Sequence, residues 1–145
     1  MSENREIIKF RIARIATDQF AVIEQAYAES IEINLSTNLR FAVERDKNLV
    51  AVVTSFKFEQ KGNPFLLIEV SCHFSLAKES WDSLIKENMQ IVLPKDFMCH
   101  LATITVGTTR GVLHAKTEGT RFNGFFLPTI NVKELIKEDV SFGNT

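Results

Sequence analysis

No stretch of this sequence approaches the roughly 18 uninterrupted apolar residues that a membrane-spanning helix needs. Charge of one sign does not dominate either, since 17 basic residues stand against 18 acidic ones for a net charge of −1. That balance leaves no electrostatic footprint for nucleic acid and no polybasic segment for an anionic lipid surface. Cysteine is scarce: Cys72 and Cys99 sit far apart inside apolar runs. They read as buried, reduced thiols acting as small hydrophobes rather than as a disulfide framework. The opening MSENREIIKF lacks the apolar core of a secretory signal. These absences predict a soluble, cytoplasmic protein without membrane insertion or a nucleic-acid partner.

Catalytic signatures are missing as well. No serine stands in a nucleophile-elbow context, and Gly107, Gly111 and Gly119 fit neither common phosphate-binding glycine pattern. Of the histidines His73, His100 and His114, the last two would lie about 20 Å apart along a helix, too far to share a metal. His100 beside Cys99 has no zinc-site spacing. An acid pair of Glu118 with Asp96 or Glu134 can be drawn on paper, but nothing brings those residues together. The sequence therefore predicts no enzyme, no cofactor and no metal.

What the chain does have is an ordinary globular composition, 45% hydrophobic and 24% charged. Its 145 residues read as a single domain, 1–145, able to bury a core without staples. Phenylalanine is abundant, 12 residues against one Trp and one Tyr. That is generous for one small core, so some of these rings are expected in an interface or an apolar groove.

The first half alternates. Residues 7–23 read as an extended segment in which Ile8, Phe10 and Ile12 share a face, with a bulge or kink near Ala13 to Asp18 where the alternation slips. Ile31, Ile33, Leu35, Leu39, Phe41 and Val43 then occupy one parity, a strand with one face inward. Turns at Arg45–Asn48 and Lys61–Pro64 separate a third strand, carrying Val50, Val52, Phe56 and Phe58, from a fourth. The fourth carries Leu66, Ile68, Val70, Cys72, Phe74 and Leu76. Short connections make the second to fourth strands an antiparallel meander. Glu32, Glu44 and Glu69, with Arg40 among them, would face outward.

The second half has helical spacing. Lys78 to Lys86 places Trp81, Leu84 and Ile85 on one side, and a connector through Ile91–Leu93 leads to Pro94. Pro94 suits a helix start and Gly119 a helix end, enclosing about 24 residues, roughly 35 Å of helix. One stripe of that helix holds Phe97, Leu101, Ile104, Thr108 and Ala115. Nearly opposite lies a second, of Cys99, Ala102, Val106 and Leu113. Two stripes predict burial on both sides, by the chain's own sheet and by another subunit. Gly107 and Gly111 would then admit a neighbouring backbone, so Cys99, Ala102, Val106, Gly107, Gly111 and Leu113 are the candidate oligomer interface. The competing reading is a strand over Ala102–Val106, a turn at Gly107 and a shorter helix, because residues 103–106 are all β-branched.

After Gly119 comes an apolar loop, Phe122-Asn123-Gly124-Phe125-Phe126-Leu127-Pro128, then a last short helix after Asn131 with Leu135 and Ile136 inward. Phe122, Phe125, Phe126 and Leu127 either close the end of the sheet beneath the long helix or line a groove for extended apolar peptide. Strands followed by helices predict an α+β fold, helices on one face of a four-stranded antiparallel sheet.

The run Gly119-Thr120-Arg121-Phe122, then Leu127-Pro128-Thr129-Ile130-Asn131-Val132 and Leu135, resembles the end of SecB-type export chaperones. The preceding order of strands, connector, proline and long helix is also similar. The resemblance implies a homo-oligomer, a dimer of dimers with packed long helices. It further implies a holdase that uses no ATP, binds non-native polypeptide clients in apolar grooves and serves protein export with a translocation ATPase. By the same resemblance, Phe122 and Phe125 to Leu127 fall in the loop near such grooves. Export members are distinctly acidic on the sheet that meets the ATPase, whereas this chain is nearly neutral. The region between Arg110-Gly111 and Gly119-Thr120 also reads as longer than in those members. Both departures suggest a divergent branch, so a chaperone dedicated to one partner, such as a toxin–antitoxin protein, stands as an alternative to the general holdase. A scaffolding oligomer without clients is a second alternative.

Overall fold

In the computed structural model, which describes residues 7–143, the first half of the chain forms one antiparallel sheet. Its strands are β1 (Phe10–Val22), β2 (Asn34–Glu44), β3 (Leu49–Gln60) and β4 (Asn63–Leu76), in the order β1-β4-β3-β2. The β3–β4 hairpin turns on Lys61 and Gly62, both at positive φ (52° and 80°). That two-residue geometry matches the twist of the flanking strands, and glycine adopts it without steric cost. The slip of face expected in the first strand is present as register shifts between Ile12 and Arg14 and between Thr17 and Gln19.

β2 starts three residues later than its alternation implied. Ile31 and Ile33 belong to the segment that crosses from β1 over the end of the β3–β4 hairpin to reach β2. Buried Gln60 fixes that crossover, because its amide group exchanges hydrogen bonds with the backbone of Ala28 (2.7 and 2.9 Å) and donates to the Ile31 carbonyl (3.3 Å). A carbonyl engaged by a side chain in this way is not left seeking a ladder partner, so the apolar alternation outruns the strand.

The second half covers one face of the sheet. α1 (Lys78–Ser83) buries Trp81 and stops short of Lys86, because Ile85 instead bridges to Ile91. The presumed connector is a strand, β5 (Ile91–Leu93), paired with a C-terminal strand that the sequence reading did not anticipate, β6 (Val140–Phe142). Between them run α2 (Lys95–Thr117) and α3 (Val132–Leu135). Ile136 is buried as expected, but Leu135 is 50% exposed, because a helix of one turn offers a single inward position there.

α2 is one continuous helix through residues 102–106. Its threonines explain how: Thr103, Thr105, Thr108, Thr109 and Thr117 each donate a hydroxyl hydrogen bond (2.7–2.9 Å) to the carbonyl four residues back. A threonine bonded this way fits a helix. Asp139 Oδ1 accepts from the Lys95 N–H at 2.8 Å, tying the C-terminal segment to the first turn, and Gly119 ends the helix at φ 78°.

The core lies between α2 and the central strands β3 and β4, whose inward residues are almost wholly buried. On the edge strands cover is partial. Leu35 and Leu39 of β2 are half-buried, while Ile12 and Ile15 of β1, on the core-facing side, remain 44% and 50% exposed.

Candidate functional site

Three segments meet at the end of the sheet where the β3–β4 hairpin turns. Phe58 and Phe65 come from the two hairpin strands, Tyr27 from the crossover, and Phe122 and Phe125 from the loop after α2. Their rings form one assembly. Tyr27 lies 4.9, 5.5 and 5.7 Å from Phe65, Phe122 and Phe125, and Phe125 lies 5.3 and 5.7 Å from Phe65 and Phe58. These are the offset and edge-on separations that aromatic rings favour. Arg121 lays its guanidinium over the Tyr27 and Phe122 rings at 4.9 and 5.1 Å, within cation–π range.

The loop that carries Phe125 is anchored. Arg110 on α2 donates from Nε to the Leu127 carbonyl (3.1 Å) and from Nη2 to the Pro128 carbonyl (2.9 Å). Thr120 accepts from the Phe122 N–H at 3.2 Å, and Asn123 bonds back to the His114 carbonyl at 3.0 Å. A short helical turn, residues 121–124, results, with Phe122 as its buried residue.

Phe122 and Leu127 turn inward and are buried, 1% and 3% exposed, so they form the floor of the site rather than its surface. Phe125 is half-buried. Phe126 is 61% exposed and stacks on His114, centroids 6.4 Å apart. Ile23 and Ile33, also partly exposed, belong to the ends of the same crossover that carries Tyr27. The result is a packed aromatic floor with Tyr27 and Phe125 half-buried at its surface, flanked by Phe126, which leaves that assembly to stack on His114; these three rings form a shelf. The loop residues singled out from the sequence thus meet Tyr27, Phe58 and Phe65, which the sequence did not single out as part of a site. The lone tyrosine in a polar crossover was the available signal.

The candidate interface residues separate into two groups. Cys99, Ala102, Val106 and Leu113 are buried against the chain's own core, so they are not a surface for a second subunit. The assignment of the stripes is corrected accordingly. The buried face of α2 is wider than its apolar residues imply, because Thr105, Thr109 and Thr117 have satisfied hydroxyls and turn inward with them. Gly107 and Gly111 lie on the opposite, exposed side, where an added Cβ would meet nothing within 4 Å. Half-buried Ile104, Thr108 and Val112 flank them.

A second concavity of about 690 Å³ opens at the other end of α2, floored by Ile8, Phe10, Leu84, Val92 and Phe97. On the outward face of the sheet, Glu69 is tied to Arg40 and to Ser55, each at 2.6 Å, and Glu32 lies outside the strands. Among the described residues no group of three His, Cys, Asp or Glu side chains could hold a metal. No helix of the described chain is long and apolar enough to cross a membrane. Burial, reinforced by the Asp96 carboxylate, raises the Cys99 thiol above its ordinary pKa, which keeps it protonated and unreactive.

No protein-family model and no curated protein sequence matches the chain. Among solved structures it is similar to the Mycobacterium tuberculosis Rv1957 SecB-like chaperone, determined in complex with a ChAD peptide from Rv1956 HigA1 antitoxin. The superposition covers 83% of this chain and 90% of that one, with a TM-score of 0.52 and 10% sequence identity. The fold is SecB-like. A shared fold at so low an identity means that the architecture is preserved while most side chains differ. The aromatic shelf therefore rests on this chain's own residues.

Proposed function

We propose that the protein is a holdase that uses no ATP and binds extended, apolar segments of non-native polypeptide on the shelf of Tyr27, Phe125 and Phe126. The observation that carries this reading is Phe126, a large apolar ring 61% exposed beside an anchored aromatic floor. Exposed apolar surface at a rigid, ring-lined site favours a partner that covers it, by about 25 cal/mol per Å² less the cost of ordering the partner. The SecB-like fold supports the reading, and so does the peptide bound to the similar M. tuberculosis chaperone.

A dedicated client suits this chain better than general export traffic. Glu69, the carboxylate at the middle of the outward sheet face, has its charge countered by Arg40 and accepts a hydrogen bond from Ser55, so it offers little to a basic docking domain of a translocation ATPase. The solved relative holds a peptide from an antitoxin, and a cytoplasmic chaperone serving one such partner fits a nearly neutral surface. In this reading the chain works as a dimer of dimers. The exposed face of α2 around Gly107 and Gly111 packs on a second copy, and Ile12 and Ile15 are covered in the same assembly.

The test is suppression of aggregation of an unrelated, thermally unfolding protein, with the molar mass of the pure protein measured by light scattering. Suppression at near-stoichiometric ratios by a tetramer is expected. A stable monomer, or a tetramer that leaves aggregation unchanged, would remove the reading in favour of another assembly or a scaffold.

A further inference from the structure

We propose that a row of cations on the outward side of β1, formed by Lys9, Arg11 and Arg14, docks an extended acidic segment of a partner polypeptide. The contact is made by side-chain ion pairs on the face turned away from α2. It lies at the end of the sheet remote from the β3–β4 hairpin and its aromatic rings, so it is independent of the shelf.

Strict alternation would not assemble this row. Phe10 and Ile12 take the core side of β1, and continuing that parity would send Arg14 inward and Ile15 outward. The first register shift drops Ala13 from the pairing, so Arg14 stands opposite His73 and Ile15 opposite buried Cys72. A bulge commonly re-aims a side chain in this way. Arg11 stands opposite Ser75, and Lys9 continues the ladder, its carbonyl accepting from the Ala77 N–H at 2.9 Å. The partners Ala77, Ser75 and His73 are each two residues apart, which spaces the three cations by about 7 Å. Same-side side chains of any extended chain repeat at that distance. Carboxylates at alternate residues of a partner would therefore meet all three.

The chain itself does not use these charges. Every other described arginine is employed. Arg40 binds Glu69, Arg45 holds the carbonyls of Met89, Phe142 and Gly143, Arg110 holds those of Leu127 and Pro128, and Arg121 lies over Tyr27 and Phe122. Among the described residues, no carboxylate lies within 4 Å of Lys9, Arg11 or Arg14, and all three are exposed. Nor are they needed to guard the edge of β1, which two register shifts already blunt against pairing.

The surroundings select the partner. A concavity of about 260 Å³ lined by Lys9, Arg11 and Ser75 can admit a carboxylate. His73, held by Ser71 Oγ at 3.3 Å from its Nε2, sets a second polar group beside Arg14. The planar fork of arginine matches a carboxylate through two parallel hydrogen bonds. The patch is also short. Asp18 and Glu69 close it toward the hairpin, and Glu44 ends the row that runs across the sheet through Arg11, Ser75 and Leu49. A long polyanion would meet those carboxylates, whereas a segment of about six residues, three of them acidic, fits between them. The outward positions that adjoin the row, Ala16, Ser71, His73 and Ser75, offer no Phe, Tyr or Trp ring for bases to stack on. The sign of the row is opposite to that of a face built for a basic docking domain.

The experiment is fluorescence anisotropy of a labelled peptide titrated with the full-length protein. The peptide alternates glutamate with serine over about six residues, which spans the three cations. An exposed ion pair contributes up to about fivefold in affinity. Arg11→Ala and Arg14→Ala should each weaken the peptide about fivefold, and together about 25-fold, without moving the thermal unfolding midpoint. Raising NaCl from about 0.05 to about 0.5 M should weaken it by more than about tenfold, because exposed charges are screened. Lys57→Ala removes an exposed cation from the same outward face near the hairpin and should leave the affinity unchanged. Arg11→Glu with Arg14→Glu should lose the glutamate peptide and gain one that alternates lysine with serine.

Full affinity in the double alanine variant, an equal loss in Lys57→Ala, or equal binding of a glutamine–serine peptide would overturn the proposal. An oligothymidylate of the same charge that binds about tenfold tighter through the same arginines would assign the row to nucleic acid, and the proposal would fail.

Discussion

Phe122 and Phe126 stand four residues apart in one loop, and their alanine variants should fail in opposite ways. Phe122 is 1% exposed and in ring contact with Tyr27, Phe65 and Phe125. Truncating a ring so enclosed leaves a cavity and costs about 3–5 kcal/mol, a large share of the stability of any domain this size. Phe126 keeps only 39% of its surface covered, the complement of its 61% exposure. With about 2–3 kcal/mol for burying a whole phenylalanine, that fraction contributes about 1 kcal/mol to folding. The uncovered remainder, about 1.5 kcal/mol, is left for a client, and its loss corresponds to roughly tenfold in Kd. Urea unfolding should therefore show Phe122→Ala strongly shifted and Phe126→Ala barely shifted. Titration with an unfolded client should show Phe126→Ala about tenfold weaker with its oligomer intact. Unaltered client affinity in Phe126→Ala would refute the shelf, and a severely destabilised Phe126→Ala would return that ring to the core.

Gly107→Ala with Gly111→Ala should raise the helix propensity of α2 by about 1 kcal/mol per site, since no atom of this chain opposes the new methyl groups. Light scattering should nevertheless show a weakened assembly, because a partner backbone packed there has no room for them. Thr109 donates its hydroxyl proton to Thr105, so Thr54 is the donor in their 2.6 Å contact. Thr109→Val then strands a buried hydroxyl at a cost of about 1–3 kcal/mol, part of which Thr54→Val in the same chain should restore in a double-mutant cycle. Arg45 holds the carbonyls of Met89, Phe142 and Gly143. Arg45→Ala should cost about 1–2 kcal/mol and speed amide exchange in β6 selectively. The raised Cys99 pKa means the folded thiol binds its proton more tightly than the unfolded one. That stability is present below the ordinary thiol value and is lost as pH rises through the folded value, so Cys99→Ser should flatten the alkaline limb of a denaturation profile.

The sheet was legible because its pattern is governed by one variable, which face each residue takes. In β3 and β4 both strands are central, the inward face is fully covered, and alternation maps directly onto burial. Legibility failed where a side chain, rather than the pattern, directs the backbone. Gln60 takes the Ile31 carbonyl and ends the ladder that the apolar alternation would continue. β5 and β6 are too short to carry a pattern, and their pairing follows from Asp139 and Arg45 pinning the C-terminal segment. In α2 the apolar residues were read correctly as helical, but their side was not. A threonine whose hydroxyl is satisfied within the helix buries almost as an apolar residue does, and three such threonines rotated the buried face toward Cys99 and Leu113.

That rotation leaves the outward side of α2 with two glycines and a half-covered row of Ile104, Thr108 and Val112, next to the uncovered inner face of β1. Within one chain, none of these features is needed. Alanine would fit at both glycines and favour the helix, and polar residues would serve better than Ile12 and Ile15 at 44% and 50% exposure. The same holds for Phe126, stacked on His114 one helical turn beyond Gly111. In the proposed reading, each feature weakens the isolated chain slightly and gains its value when polypeptide covers it. Two of them, the helix face and the inner side of β1, are suited to another copy of the chain. The third, the aromatic shelf, suits a partner that arrives extended. A scaffold without clients accounts for the first pair alone, so the exposed ring is where the two readings part.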